Sequence, residues 1–207
     1  MTVARQERAA IVGTLRAVGP DAPTLCEGWT ARDLTAHLVL RERRLDATPG
    51  ILVKPLAGYT AKVQDQIAKS TSWDDLVDKV AAGPPVYSPF KLLDPLVNVS
   101  EMFIHHEDAR RGQVGWEPRV YDPETADALD KMAASGLSKM ALRKSTVGVV
   151  AELPTRTVTL KSGEPVVTVV GDPGEVVLWI SGRDAVRLEF TGDEAAIETL
   201  SKAKRGV

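Results

Sequence analysis

Residues 29–38 have the sequence Trp-Thr-Ala-Arg-Asp-Leu-Thr-Ala-His-Leu and contain the clearest helix start in the chain. Thr30 is a good N-cap, and Asp33 three residues later can complete a capping box, in which each side chain bonds the other residue's backbone N–H. This pattern predicts a helix from Thr30 to about Asp46. The helix would carry His37.

Apolar residues with helical spacing occur on both sides of this segment. They predict helices over residues 4–18, 59–82 and 96–111, and a loop over residues 49–58. The second of these helices should break near Ser72, which can cap a new helix. Four main helices joined by loops of moderate length predict an N-terminal four-helix bundle.

The second half of the chain mixes helical and strand patterns. Strands are predicted where β-branched residues form a run or apolar residues alternate with polar ones, and helices where an N-cap precedes an apolar periodicity. The predicted helices cover residues 123–142, 173–179 and 194–200, and the predicted strands cover residues 156–161, 166–170 and 186–190. The fold class should therefore be α+β, with a helical domain over residues 1–115 and a small α+β domain over residues 120–207.

The composition is that of an ordinary globular protein. The 207 residues are 43% hydrophobic and 26% charged, with a formal net charge of -2. This balance gives no general attraction to nucleic acid or to an anionic membrane. Arg41, Arg43 and Arg44 form a basic cluster that Glu42 and Asp46 interrupt, and we interpret the cluster as a solvated helix face.

Features of a membrane or secreted protein are not evident in the sequence. The N-terminal residues lack the apolar core of a signal peptide, and the apolar runs are too short to span a bilayer. One cysteine, Cys26, allows no intrachain disulfide. We expect a cytoplasmic protein that has no membrane or nucleic-acid partner and acts on a small-molecule substrate as a monomer or homodimer.

Three histidines and one glutamate carry the strongest chemical signal. Glu101 and His105 are one helical turn apart, so their side chains can converge on one point. His37 on a separate helix would be a third ligand of the same ion, and three nitrogen or oxygen ligands leave a position open for substrate. Asp108 could accept the ring N–H of His105 that the metal does not use. His106 is rotated by about 100° and should not bind the same ion.

Other interpretations of these residues remain open at the level of sequence. Histidines beside carboxylates on a helix often make ordinary hydrogen bonds, and a Glu-x-x-x-His pair arises frequently by chance. Cys26 could be a reactive thiol, but a packing role is the more usual one for a single cysteine.

Two separated segments resemble a known family. Residues 26–38 resemble the first signature of the DinB/YfiT-like metalloenzymes, and more closely that of the actinobacterial branch related to mycothiol-dependent maleylpyruvate isomerase. Residues 101–108 resemble the second signature, a Glu-x-x-x-His followed by an Asp. Residues 171–173 and 178–183 resemble pieces of the α+β C-terminal domain of that branch.

The resemblance implies a DinB-like four-helix bundle with a metal triad, carried here onto His37, Glu101 and His105. The cofactor would be one divalent ion, with zinc the first choice and nickel, iron and manganese as alternatives. The resemblance also implies mycothiol as a thiol cosubstrate. The reaction would be transfer of the thiol to a small electrophile or isomerisation of that electrophile. Arg183 is implied as the anchor of a substrate carboxylate, although its place after a helix end also suits an ordinary surface residue.

The sequence departs from the isomerase pattern at His106 and Glu107, where a glycine and an apolar or aromatic residue would be expected. The substrate therefore need not be the one that the isomerase uses. A binding module without catalysis, which holds an apolar metabolite or a partner protein, is the alternative function.

Overall fold

The computed structural model describes residues 2–91 and 95–206, with only the backbone of residues 95–97. The chain divides into two compact units, Met1–Glu117 and Pro118–Val207. The first unit is helical and the second combines a four-stranded sheet with helices. The predicted α+β class is confirmed.

Five α-helices make up the described part of the first unit, because the predicted third helix is two. They are α1 (Val3–Val18), α2 (Ala31–Arg43), α3 (Ala57–Ser70), α4 (Trp73–Ala82) and α5 (Pro95–Arg111). Ser72 caps α4 by accepting a hydrogen bond from the backbone N–H of Asp75 at 3.1 Å, as predicted. The predicted loop over residues 49–58 contains two short 3-10 turns, Thr48–Ile51 and Lys54–Leu56.

The start of α2 has the predicted capping box. Thr30 Oγ1 accepts from the backbone N–H of Asp33, and Asp33 Oδ2 accepts from the backbone N–H of Thr30. The helix ends at Arg43, three residues before the predicted Asp46. Helix α1 packs against α4 and α5. Helix α2 packs against α3 and α4 and is therefore buried on several sides. Ten of its residues are buried, among them His37.

The core of the first unit is aliphatic and lies where α1, α2, α4 and α5 meet. Its buried members are Ile11, Val12, Leu15, Ala31, Leu34, Leu38, Val39, Leu76, Val77, Val80, Met102 and Ala109. The core includes Leu38, directly after His37, and Met102, directly after Glu101. Packing of these neighbours holds the backbone next to both residues in place.

The second unit has a mixed sheet in the order β2-β1-β3-β4. The strands are β1 (Gly148–Leu153), β2 (Arg156–Lys161), β3 (Val166–Val170) and β4 (Glu189–Gly192), and the helices are α6 (Pro123–Ala133), α7 (Gly136–Ala141), α8 (Pro173–Ile180) and α9 (Glu194–Ser201). β1 is parallel to β3, while β1–β2 and β3–β4 are antiparallel.

Two predictions for this unit are wrong in detail, and one strand is missing from them. The helix predicted over residues 123–142 is interrupted after Ala133, because Ser135 accepts from the backbone N–H of Ser138 and starts α7. Strand β1 was not predicted. The strand predicted over residues 186–190 begins only at Glu189, since β3 ends at Val170 and Val170 pairs with Glu189.

The helices that the structure describes are also relevant to the membrane prediction. None of them combines the length and the apolar character needed to cross a bilayer.

Candidate metal centre

His37, Glu101 and His105 come together inside the first unit. Helix α2 supplies His37, and one turn of α5 supplies Glu101 and His105. Glu101 Oε1 lies 3.4 Å from His37 Nε2 and 3.3 Å from His105 Nε2. One donor atom from each of the three residues lies within 4.8 Å of the other two. The structure therefore brings together all three ligands that the sequence predicts.

The other ring nitrogen of each histidine is held by a hydrogen-bond acceptor. His105 Nδ1 is 2.9 Å from Asp108 Oδ2, and Asp108 is fully buried. His37 Nδ1 is 3.3 Å from Gln64 Oε1 on α3. A carboxylate or amide oxygen can only accept, so a histidine that binds a metal through Nε2 can donate from Nδ1 to this oxygen. Each Nε2 faces Glu101 Oε1, so an ion bound there would lie between one carboxylate oxygen and two ring nitrogens.

The contacts around His105 and Glu101 favour a positive charge on the first and a negative charge on the second. Burial alone would lower the pKa of His105, but hydrogen bonds with Asp108, Cys26 and Glu101 outweigh it and raise that pKa well above its usual value. Burial would likewise raise the pKa of Glu101, but the hydrogen bonds with His105 and His37 hold it well below its usual value. A site that stabilises one positive charge in this way also suits a metal ion.

The spacing of the donor atoms fits a small divalent ion. Two nitrogen or oxygen ligands of a tetrahedral zinc ion, each about 2.1 Å from it, lie about 3.4 Å apart. The two measured separations from Glu101 Oε1, 3.3 and 3.4 Å, agree with this value. A set of two imidazoles and one carboxylate leaves a fourth position for another ligand, as in catalytic zinc sites. The same donors also suit nickel, iron and manganese.

Arg41 contributes to this centre, contrary to the interpretation of the basic cluster as a solvated helix face. It is buried, its Nε lies 3.4 Å from Glu101 Oε2, and its guanidinium group lies 4.2 Å from the centroid of the Phe90 ring. Arg43 donates to the carbonyl oxygens of Lys79 and Gly83 near the end of α4. The packing of α2 between other helices is the reason why these side chains point inwards.

Cys26 has a second role besides packing against the core. Its Sγ lies 3.2 Å from Asp108 Oδ2, the same oxygen that accepts from His105. The backbone N–H of Leu25 also donates to the carbonyl oxygen of Asp108 at 3.0 Å. Asp108 therefore joins the loop before α2 to the helix that carries Glu101 and His105. Cys26, His105 and Asp108 form the second group among the described residues that could hold an ion.

His106 points away from the centre, in agreement with its predicted rotation. Its Nδ1 lies 3.1 Å from Glu7 Oε2 and its Nε2 lies 2.9 Å from Thr14 Oγ1, both on α1. Glu107 is fully buried and pairs with Arg111 at 2.6 Å. His106 thus joins α5 to α1, whereas the Glu107–Arg111 pair lies within α5, and both residues lie outside the His37–Glu101–His105 group.

Arg183, predicted to anchor a carboxylate, lies in the second unit just after the end of α8. Its Nη1 donates to the carbonyl oxygen of Ser181 at 2.6 Å, and its backbone N–H donates to that of Leu178. These contacts fix the turn after α8. Its role toward a substrate stays a prediction.

A cleft of about 440 Å³ lies beside His37 in the first unit. It is lined by residues of α2 and α3, of the loop before α2 and of the 3-10 turn Thr48–Ile51, including Trp29, Ile51 and Gln64. The rings of Trp29 and His37 are 5.1 Å apart between centroids. A small molecule in this cleft would contact one of the three candidate ligands directly.

Sequence reasoning missed Arg41, Gln64 and the contact of Cys26 with Asp108. Arg41 had a usable signal, because it follows His37 by four residues and so lies on the same face of α2. Gln64 had none, since a glutamine among polar residues on an amphipathic helix is indistinguishable from a solvated one.

The fold and the convergent ligands together describe a helical candidate metal-binding unit followed by an α+β unit. Residues 2–98 match the family model described as the mycothiol maleylpyruvate isomerase N-terminal domain. The match includes His37 and ends before Glu101 and His105. No curated protein matches the chain.

Two solved structures share the fold of the chain. One is mycothiol-dependent maleylpyruvate isomerase, 15% identical, with a TM-score of 0.54. The other is a histidine-to-alanine mutant of a mycothiol-dependent maleylpyruvate isomerase, 14% identical, with a TM-score of 0.53. In each case the similarity covers 92% of this chain and 91% of the other. At these identities the likeness is one of fold.

Proposed function

We propose that the protein is a metal-dependent enzyme that uses a low-molecular-weight thiol such as mycothiol. It would either transfer the thiol to a small electrophilic substrate or isomerise that substrate. The observation that carries the proposal is the convergence of His37, Glu101 and His105, with Glu101 Oε1 at 3.3 and 3.4 Å from the two ring nitrogens. The family of the N-terminal domain and the shared fold support the thiol as cosubstrate.

The residues of the centre would have different roles in the reaction. His37, Glu101 and His105 would hold the ion, which when bound lowers the pKa of a thiol so that the nucleophilic thiolate exists at neutral pH. Asp108 holds the Nδ1 proton of His105, and Arg41 keeps Glu101 oriented through its second oxygen. Arg183 would bind a carboxylate of the substrate, for which a guanidinium group is well suited.

The test is a thiol-dependent assay of the zinc-loaded protein. Maleylpyruvate and a set of other small electrophiles should be offered with mycothiol, because His106 and Glu107 depart from the isomerase pattern. We expect turnover of at least one electrophile that needs both zinc and thiol, and that is lost in Glu101→Gln. If ligands bind the protein with equal affinity in wild type and His37→Ala, and no electrophile turns over, the protein is a binding module and the proposal is wrong.

A further inference from the structure

The two histidines of the candidate centre differ in what holds their second nitrogen. His105 Nδ1 faces the carboxylate of Asp108 at 2.9 Å, whereas His37 Nδ1 faces the neutral amide oxygen of Gln64 at 3.3 Å. A hydrogen bond to an ionised acceptor is shorter and roughly twice as strong as one between neutral groups. The distances follow this order.

This difference changes how well each imidazole binds a cation. A carboxylate behind a ligating histidine draws the Nδ1 proton towards itself and raises the basicity of Nε2, while an amide does so much less. His105 should therefore be the stronger ligand and His37 the weaker one. In addition, Glu101 pairs with Arg41 at 3.4 Å, which spreads the carboxylate charge between two cations.

The surroundings of Asp108 and Gln64 also favour His105 as the more firmly held ligand. Asp108 is fully buried and also accepts from Cys26, so it is fixed from two sides. Gln64 is half-buried and lines the cleft of about 440 Å³ that also contacts His37. The weaker histidine is thus the one beside a space that a small molecule can enter.

We propose that Gln64 is a positioning residue of the metal centre, and that its neutral amide keeps His37 as the weaker, exchangeable ligand on the side of the cleft. This inference rests on the proposed metal binding. The amide oxygen of Gln64 fixes the ring orientation and the tautomer of His37. Because the amide of Gln64 is uncharged, it leaves the bond between His37 and the ion weaker than a carboxylate would.

The test is to convert the neutral acceptor into a charged one of nearly the same shape. Gln64→Glu places a carboxylate at His37 Nδ1, so zinc should bind about tenfold more tightly or better, in line with the usual weight of such outer contacts. Gln64→Met removes the acceptor and should weaken binding by about tenfold. Zinc affinity is measured by competition with a chromophoric chelator, and the visible spectrum of the cobalt-loaded protein reports the ligand field.

Gln66→Glu is the matched control, because Gln66 lies on the same helix, is exposed and would gain the same charge. We expect its zinc affinity to stay within about twofold of wild type, and its cobalt spectrum to be unchanged. The metal-free variants should unfold at similar temperatures, which separates a change of ligand strength from a loss of folding.

The outcomes also separate this inference from the proposed metal binding. If wild type binds zinc, but Gln64→Glu binds it no more tightly than Gln66→Glu does, the role of Gln64 is disproved and the metal centre stands. If wild type binds no zinc, both proposals are wrong. A gain of affinity in Gln64→Glu alone, together with a shifted cobalt spectrum, would support the inference.

Discussion

Glu101 Oε1 is the atom at which the candidate centre converges, since the Nε2 atoms of His37 and His105 both face it within 3.4 Å. Its partner oxygen Oε2 faces Arg41. A carboxylate so placed needs positive charge on both sides. Arg41 supplies it at Oε2, and either a proton on His105 or a metal ion would supply it at Oε1.

This competition between proton and metal predicts the pH dependence of zinc binding. Because the folded-state pKa of His105 is raised, protonation stabilises the metal-free fold at low pH, and that stability is lost as pH rises through the raised pKa. Zinc requires the deprotonated Nε2 and should bind better as pH rises through the same range. The increase in melting temperature on adding zinc should therefore be larger at pH 8 than at pH 6.

Melting curves with and without excess zinc at pH 6, 7 and 8 measure this effect. His37→Ala should show a much smaller zinc-dependent increase at every pH, because it removes one ligand. An increase in melting temperature that is equal at all three pH values, or largest at pH 6, would mean that zinc does not compete with a proton on these residues.

At the scale of elements, the start of α2 determines where His37 lies. The capping box of Thr30 and Asp33 fixes the first turn, and the loop before it is joined to α5 through Asp108. Any shift of this helix start would move His37 relative to Glu101 on α5. Stability and metal affinity should therefore both depend on Thr30.

Thr30→Ala should lower the free energy of unfolding by about 1 kcal/mol through loss of the N-cap. It should also weaken zinc binding, because α2 carries a ligand. Ser72→Ala removes the N-cap of α4, a helix without a ligand, and is the matched control. We expect a similar loss of stability in urea denaturation but unchanged zinc affinity. Equal zinc affinities in the two variants would contradict a link between the start of α2 and the centre.

Local signals explain which elements the sequence could predict. N-caps, glycine stops and apolar periodicity lie within one element, so the five N-terminal helices and the break before α4 could be predicted from them. Strand β1 could not, because it lies between β2 and β3 and is largely buried, which hides the alternation that marks a strand. The start of β4 depends on where β3 ends, which is a tertiary property.

The same distinction holds for the candidate centre. Glu101, His105 and Asp108 share one helix, so their convergence follows from helical spacing. Bringing His37 to them depends on how α2 packs against α5, for which the two ordered segments resembling a known family gave the stronger support. The inward direction of Arg41 and the contact with Gln64 depend on packing alone.

At the scale of the whole molecule, the candidate ligands and Arg183 lie in different units. All three candidate metal ligands belong to the unit Met1–Glu117, while Arg183 belongs to Pro118–Val207. Metal binding and binding of a substrate carboxylate are therefore assigned to separate parts of the chain. They should respond independently to mutation.

Arg183→Ala should leave the zinc content at its wild-type value and raise the KM for a substrate that carries a carboxylate, by about tenfold or more. The exposed Arg143 provides a control of the same unit and charge, and Arg143→Ala should change neither quantity. A loss of zinc in Arg183→Ala, or an unchanged KM, would remove Arg183 from the proposed role.

The central claim is that His37, Glu101 and His105 bind one divalent ion, and elemental analysis of the freshly purified protein tests it most directly. We predict about one equivalent of metal in wild type, and a loss of it in Glu101→Ala but not in the exposed control Glu27→Ala. A wild-type protein that purifies without metal and gains no thermal stability from added zinc or nickel would contradict the claim.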